Sequence, residues 1–279
     1  MTMVEWLLEP LSFGFILRGL IAAVLVGIVC PVIGTYVVLR GMAFFGDALA
    51  HTILPGVVVA FLLGWPLALG ALAMGILTAL GIGALSGQGL IKEDTAIGVI
   101  FAGAFALGVA MLSMTGNYSI DLAHFLFGNL LGVSAADLWI IAILGSIVLG
   151  SIFLFYKEFL VLSFDPTLAV TLRLPTVFLR YLLLTLIAVT VVVALEVVGI
   201  TLVVAMLVTP AAAASLLTRR LQAMMLAAAA IGTLAAIVGL YASFYLNVAS
   251  GPAVVLVATG IFALVFLLAP ERGIVWRKT

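Results

Sequence analysis

Residues 178–217 read FLRYLLLTLIAVTVVVALEVVGITLVVAMLVTPAAAASLL. Two apolar runs meet at Glu196, and the only other charge is Arg180 near the start. Each run holds close to the about 20 residues that an α-helix, rising about 1.5 Å per residue, needs to cross the hydrocarbon of a bilayer. Neither run alternates polar and apolar residues, as the short strands of an outer-membrane barrel would. A stretch this apolar hides its backbone polar groups by closing every hydrogen bond within a helix. The pair therefore reads as two transmembrane helices joined by a tight turn.

The rest of the chain repeats this pattern. Of 279 residues, 66% are hydrophobic and 8% are charged, against about 25% charged in ordinary soluble domains. Nine spans can be drawn, at 13–38, 46–64, 66–86, 94–114, 137–156, 178–195, 198–217, 221–245 and 252–270. An eight- or ten-span count follows if one marginal segment changes state. Gly and Pro mark the gaps, as in GWP at 64–66, SGQG at 86–89, TGN at 115–117 and SGP at 250–252. With no linker or low-complexity tract, residues 1–279 read as a single all-α polytopic transmembrane domain. The segment IDLAHFLFGNLLGV, 120–133, is too short to cross and is expected as a short helix on the outer side. The start, MTMVEWLLEPLSF, lacks a positive region before the apolar run and does not read as a cleaved signal peptide.

Positive charge orients the spans. Arg40, Lys92, Lys157, Arg173, Arg180, Arg219, Arg220, Arg272, Arg277 and Lys278 lie in or beside alternate gaps and the C-terminal tail. That side is cytoplasmic by the positive-inside rule. The N-terminus then starts outside, with Arg18 as the one dissenting charge. Eleven Lys plus Arg balance eleven Asp plus Glu, which leaves no field for nucleic acid. Cys30 is the one cysteine, so neither an internal disulfide nor a multi-thiolate metal site can form. The nine methionines are scattered and read as core filler.

Ionisable groups inside spans are few: Asp47 and His51 in GDALAHTILPGV, and Glu196 at a junction. An Asp within a span costs about 2.5–3.5 kcal/mol on insertion scales and marks a pathway or a partner. At i, i+4, Asp47 and His51 share a helix face. Pro55 extends that stripe, and Pro55-Gly56 invites a local break. Carboxylate plus imidazole suits Mn(II), Fe(II) or Zn(II) and is poor for Cu(I). Two ligands per chain are too few for a tight site, and a symmetric dimer would supply four. The pair is either a metal way-station or a mutually satisfied Asp–His contact that locks packing. Glu196 either lines the pathway or reaches the outer interface. His124, close to Asp121, reads as a surface residue or as part of an entry.

Several chemistries are excluded by motif. The chain has no G-x-x-x-x-G-K-[ST] for ATP, no H-E-x-x-H and no Gly-rich dinucleotide fingerprint. The longest cytoplasmic gap, KEFLVLSFDPTLAVTLRLP at 157–175, predicts a short helix. Asp165 would cap it and Pro166 would take its first position, with an end near Arg173. It reads as an ordinary loop or as a docking element.

The elements GDALAHTILPGV, DTAIGVIFAGAFALGV (94–109), FLFGNLLGVS (125–134), FDPTLAVTLRLP (164–175), EVVGITLVVAMLVTPAAAA (196–214) and LAPERGI (268–274) occur in the order of one family. Together they resemble the membrane permease of the manganese/zinc/iron ABC importers, over about residues 13–274. The resemblance implies the type II importer fold, as in cobalamin and siderophore permeases. It implies a permease subunit that moves a divalent transition metal (Mn, Zn or Fe) across the bacterial inner membrane, without ATPase chemistry of its own. The partners it implies are two ABC ATPase subunits, an extracytoplasmic metal-binding protein and a second permease copy within the lipid. No cofactor is held permanently; the metal is cargo. By resemblance, Asp47 and His51 match the metal pathway, and Phe164, Asp165, Pro166, Leu168 and Leu172 fall in the helix that couples to the ATPase; Glu196, from its place at a span junction, is a less certain metal candidate. The competing readings are an ion-coupled secondary metal carrier, which would need more acids within spans, and an intramembrane enzyme, for which no nucleophile–base set is present.

Overall fold

The computed structural model describes residues 9–87, 91–114 and 130–269. Most of the expected outer segment 120–133, with His124 and Asp121, lies outside these residues, as do Arg272, Arg277 and Lys278. Among the described residues, nine stretches are long and apolar enough to cross a membrane. They are α1 (Gly14–Leu39), the pair α2 (Phe45–Thr52) and α3 (Leu54–Leu63), α4 (Leu67–Gly87), α5 (Glu93–Met114), α6 (Ala135–Leu154), α9 (Thr176–Val198), α10 (Ile200–Leu217), α11 (Leu221–Leu246) and α12 (Ser250–Leu268). Two short helices, α7 (Tyr156–Phe164) and α8 (Pro166–Thr171), fill the long gap before α9. Each expected span matches one of these within a few residues.

Local chemistry sets the boundaries. The turn between the two apolar runs of 178–217 falls at Gly199, whose φ of 82° is open to glycine but strained for other residues. It separates α9 from α10 by a single residue. At the start of α6, Ser134 and Asp137 form a reciprocal capping box, with Asp137 N–H donating to Ser134 Oγ at 3.2 Å and Ser134 N–H to Asp137 Oδ2 at 2.9 Å. Pro55, near the start of α3, has no N–H, so the carbonyl of His51 loses its helical donor. The helix breaks at Ile53 as a result.

Packing ranks the helices. The most apolar windows of α9 and α1 are 67% and 56% buried, while those of α5 and α12 are 17% buried. With the α2–α3 span 61% buried, α9, α2–α3 and α1 form the centre. Helix α1 packs on α6, α9, α10 and α11, and α9 reaches across to α2 and α4. Small residues permit this closeness. At the crossing of α3 and α4, a side chain on Gly56 would collide with the carbonyl of Gly70, and one on Gly70 with that of Gly56. Outward faces carry apolar residues such as Leu77, Ile143 and Leu256, all exposed, as lipid contact requires.

Ion pairs test the alternation of the spans. Arg40 pairs with Glu93, and Arg180 Nε stands 4.0 Å from the same carboxylate. The end of α1 and the starts of α5 and α9 therefore share one end of the bundle, the end that carries the positive charges. At the opposite end, Tyr245 Oη lies 3.5 Å from Glu9 Oε2, and Glu196 has Asp137 as its charged neighbour.

Candidate metal pathway and docking helix

Helix α2 is short and carries its acid in the first turn and its imidazole in the last. Asp47 and His51 face the same way, with His51 Nε2 3.8 Å from Asp47 Oδ1. That is too long for a hydrogen bond, so the two do not satisfy each other. Ligands bound about 2.1 Å from one ion stand roughly 3.0–3.4 Å apart, which a small side-chain rotation reaches. The open arrangement suits two donors waiting for an acceptor better than a packing lock.

Depth and exposure sharpen this. The His51 ring lies against Phe101 and Phe105, with centroids 5.9 and 5.5 Å away. These phenylalanines sit midway along the 22-residue α5, so His51 lies near the middle of the bundle's thickness. Yet its side chain is 35% exposed and that of Asp47 is 49% exposed. An acid and an imidazole open to lipid at that depth would be costly. A partner surface or a water-filled pathway has to cover them.

A pocket of about 250 Å³ opens beside the pair, lined by Phe44, Asp47, Ala48, Asp94, Ile97, Gly98 and Phe101. It runs from mid-depth toward the positive end, where Asp94 lies in the first turn of α5. Among the described residues no three His, Cys, Asp or Glu side chains gather closely enough to hold an ion. One copy of the chain thus offers a line of donors rather than a closed site.

The second feature is α8. Asp165 caps it, its Oδ1 accepting from Leu168 N–H at 2.9 Å, with Pro166 at the first position. Ala169 is fully buried and holds the helix down, while Phe164, Leu168, Val170 and Leu172 are exposed. Arg173 closes the helix with φ 56°, and Leu174 N–H donates back to the Ala169 carbonyl at 3.1 Å. The outcome is a short, rigid knob with an apolar crown at the positive end of the bundle.

Comparison with known proteins places this architecture. Residues 12–269 match the ABC 3 transport family. The chain belongs to that family. A manganese transport system membrane protein, MntC, of Halalkalibacterium halodurans is 47% identical over 269 residues, covering 96% of this chain and 92% of that one. A probable iron transport system membrane protein of Haemophilus influenzae is 38% identical, covering 99% and 98%. The solved structure of PsaBC from Streptococcus pneumoniae in complex with Fab superposes with a TM-score of 0.83 at 38% identity, covering 97% of this chain and 98% of that one.

Within this ABC 3 chain the expected site residues separate. Asp47 and His51 come together. Glu196 shares no described pocket with them; it is exposed near the end of α9, one turn beyond Val192. Asp94 was missed. Its signal was present, because Asp94, Gly98, Phe101 and Phe105 form one helical stripe at i, i+4, i+7 and i+11. That stripe joins an acid at the helix start to the aromatic wall around His51.

Proposed function

We propose that this chain is the membrane permease subunit of an ATP-binding cassette importer for a divalent transition metal, with manganese the first cargo to test. The carrying observation is the Asp47–His51 pair, unsatisfied at 3.8 Å and half-exposed at mid-depth. A second copy of the chain, placed against the α2/α5 face, covers the pair and brings two carboxylates and two imidazoles around one axis. Oxygen and imidazole donors favour Mn(II), Fe(II) and Zn(II). Two copies also neutralise a doubly charged ion with two carboxylates. The names of the manganese and iron relatives agree with this cargo class.

The chain works as one transmembrane permease domain in the bacterial plasma membrane. An extracytoplasmic metal-binding protein delivers the ion to the acid-bearing end. A separate ATPase, two copies per assembly, docks on α8 through Phe164, Leu168 and Leu172, with Asp165 and Pro166 fixing the helix. No resident cofactor takes part. The deciding experiment is uptake of manganese, iron and zinc by a strain that lacks this chain. Loss of ATP-dependent manganese uptake, restored by the native gene and not by Asp47→Asn, is expected. Native uptake without the chain, or uptake driven by a proton gradient alone, would overturn the reading.

A further inference from the structure

The cluster at the positive end has no part in the metal pathway or the docking surface as described. Four helix ends meet there. Arg40 follows the last residue of α1, Glu93 opens α5 and Arg180 lies in the first turns of α9. The C-terminal end of α4 completes the set, because a side chain on Gly87 would lie 3.4 Å from Arg180 Nη1. The side chains of Arg40 and Glu93 are 10% and 18% exposed. Glu93 at an N-terminus and Arg40 at a C-terminus suit their helix ends, whereas Arg180 opposes the dipole of its own helix and stands beside the C-terminal end of α4.

The cluster is only half made. Glu93 is held by Arg40. Arg180 Nε sits 4.0 Å from the same oxygen, and both that atom and Arg40 Nη1 are buried without a hydrogen-bond partner. Buried unsatisfied donors are expensive and call for an explanation. One carboxylate stands between two guanidinium groups, with the contact to Arg40 closed and that to Arg180 open and within reach of a small side-chain movement. Burial pushes the Arg40 guanidinium down from its usual range and Glu93 opposes this; arginine stays charged throughout.

The connections on either side give the element its use. Arg180 is five residues beyond Pro175, and α8 is tied to α9 through Leu174 N–H to the Ala169 carbonyl and Thr176 N–H to the Leu174 carbonyl, at 3.1 and 2.8 Å. A push on α8 therefore reaches Arg180 with little slack. On the other side, Glu93 is the neighbour of Asp94, on the helix whose Phe101 and Phe105 pack on His51. Arg40 begins the short connection into α2, which carries Asp47.

We propose that Glu93 is a coupling residue that passes between Arg40 and Arg180, linking movement of the docking helix α8 to the spacing of α2 and α5 around the metal. Glu93 touches no ion; it is a positioning residue. The two contacts bias one bistable element from two sites, which is the physical requirement for coupling.

This proposal rests on the reading of α8 as the ATPase dock, and the test separates the two. The complete assembly of permease, ATPase and delivery protein is reconstituted in vesicles, and ATP hydrolysed per manganese ion transported is measured. Glu93→Gln is expected to keep the ATPase bound and hydrolysing while the ratio rises about tenfold, within the usual range of site-to-site coupling. Exchanging the charges, Glu93→Arg with Arg180→Glu, is expected to bring the ratio back toward native. Arg180→Gln leaves the Arg40–Glu93 pair whole and gives the same reading where Glu93→Gln does not assemble. An unchanged ratio in either single variant overturns the proposal, as does a parallel fall of hydrolysis and transport with loss of melting temperature. Leu168→Asp serves as the separate control. If it keeps the ATPase bound at the native ratio, the docking reading fails whatever Glu93 does.

Discussion

Asp47→Asn tests the pathway most directly. The substitution keeps the shape of the side chain and removes one negative charge per copy. If two copies share the ion as proposed, their paired carboxylates would neutralise a doubly charged ion at mid-depth, where His51 packs against Phe101 and Phe105. Losing a carboxylate leaves a positive charge uncompensated. On insertion scales that costs about 2.5–3.5 kcal/mol per charge, and 1.4 kcal/mol is about tenfold, so one lost carboxylate corresponds to about 100-fold. Both copies change together, but water in the pathway takes up part of the difference, so a fall of about 100-fold is the working figure. Folding should be spared, because the pair stands 3.8 Å apart without a hydrogen bond, and such half-exposed pairs contribute at most about 1 kcal/mol. The assay is manganese uptake by vesicles that hold the assembly, with saturating delivery protein and internal ATP, beside a melting curve of the purified chain. Near-native uptake, or uptake that falls only as far as the folded fraction falls, would refute the reasoning.

Asp165→Ala removes the cap of α8, which costs about 1 kcal/mol; ATPase affinity should drop about fivefold, as read by titrating the ATPase onto the immobilised permease. Gly56→Leu places a branched side chain against the Gly70 carbonyl, so the α3–α4 crossing must open and the melting temperature should fall, with a loss of at least about 1–3 kcal/mol. Cysteines introduced at Trp65 and Lys157 should label from opposite faces of intact cells, Trp65 from outside, while buried Cys30 stays silent; labelling of both from one face would break the nine-span topology. Glu196→Gln should alter uptake far less than Asp47→Asn, since Glu196 lies apart from the pair; an equal loss would place it on the pathway.

The spans were legible because apolar run length in a bilayer admits few alternatives: 13–38 became Gly14–Leu39, and 221–245 became Leu221–Leu246. The cap of α8 was legible too, since Asp165-Pro166 is a local signal with a local outcome. The helix break was expected at Pro55-Gly56 and falls at Ile53, because a proline disturbs the turn that precedes it. The exposure of Asp47 and His51 was not legible, as it depends on which helices leave that face uncovered. Nor was the meeting of Arg40, Glu93 and Arg180, which are far apart in sequence and joined only by the alternation of the helices. Read singly, the arginines were orientation marks. Asp94 had a readable stripe, but which cavity that stripe lines depends on how α2 packs on α5.

The uncovered face of α2 has a genetic consequence. A chain that, as proposed, supplies only half of its ion's surroundings would not be judged copy by copy. If two copies share the ion, an inactive variant expressed beside the native chain in equal amount leaves roughly a quarter of randomly mixed pairs intact. Loss-of-function alleles at Asp47 or His51 would then behave as dominant, whereas a deletion of the gene, which adds no faulty partner, would stay recessive.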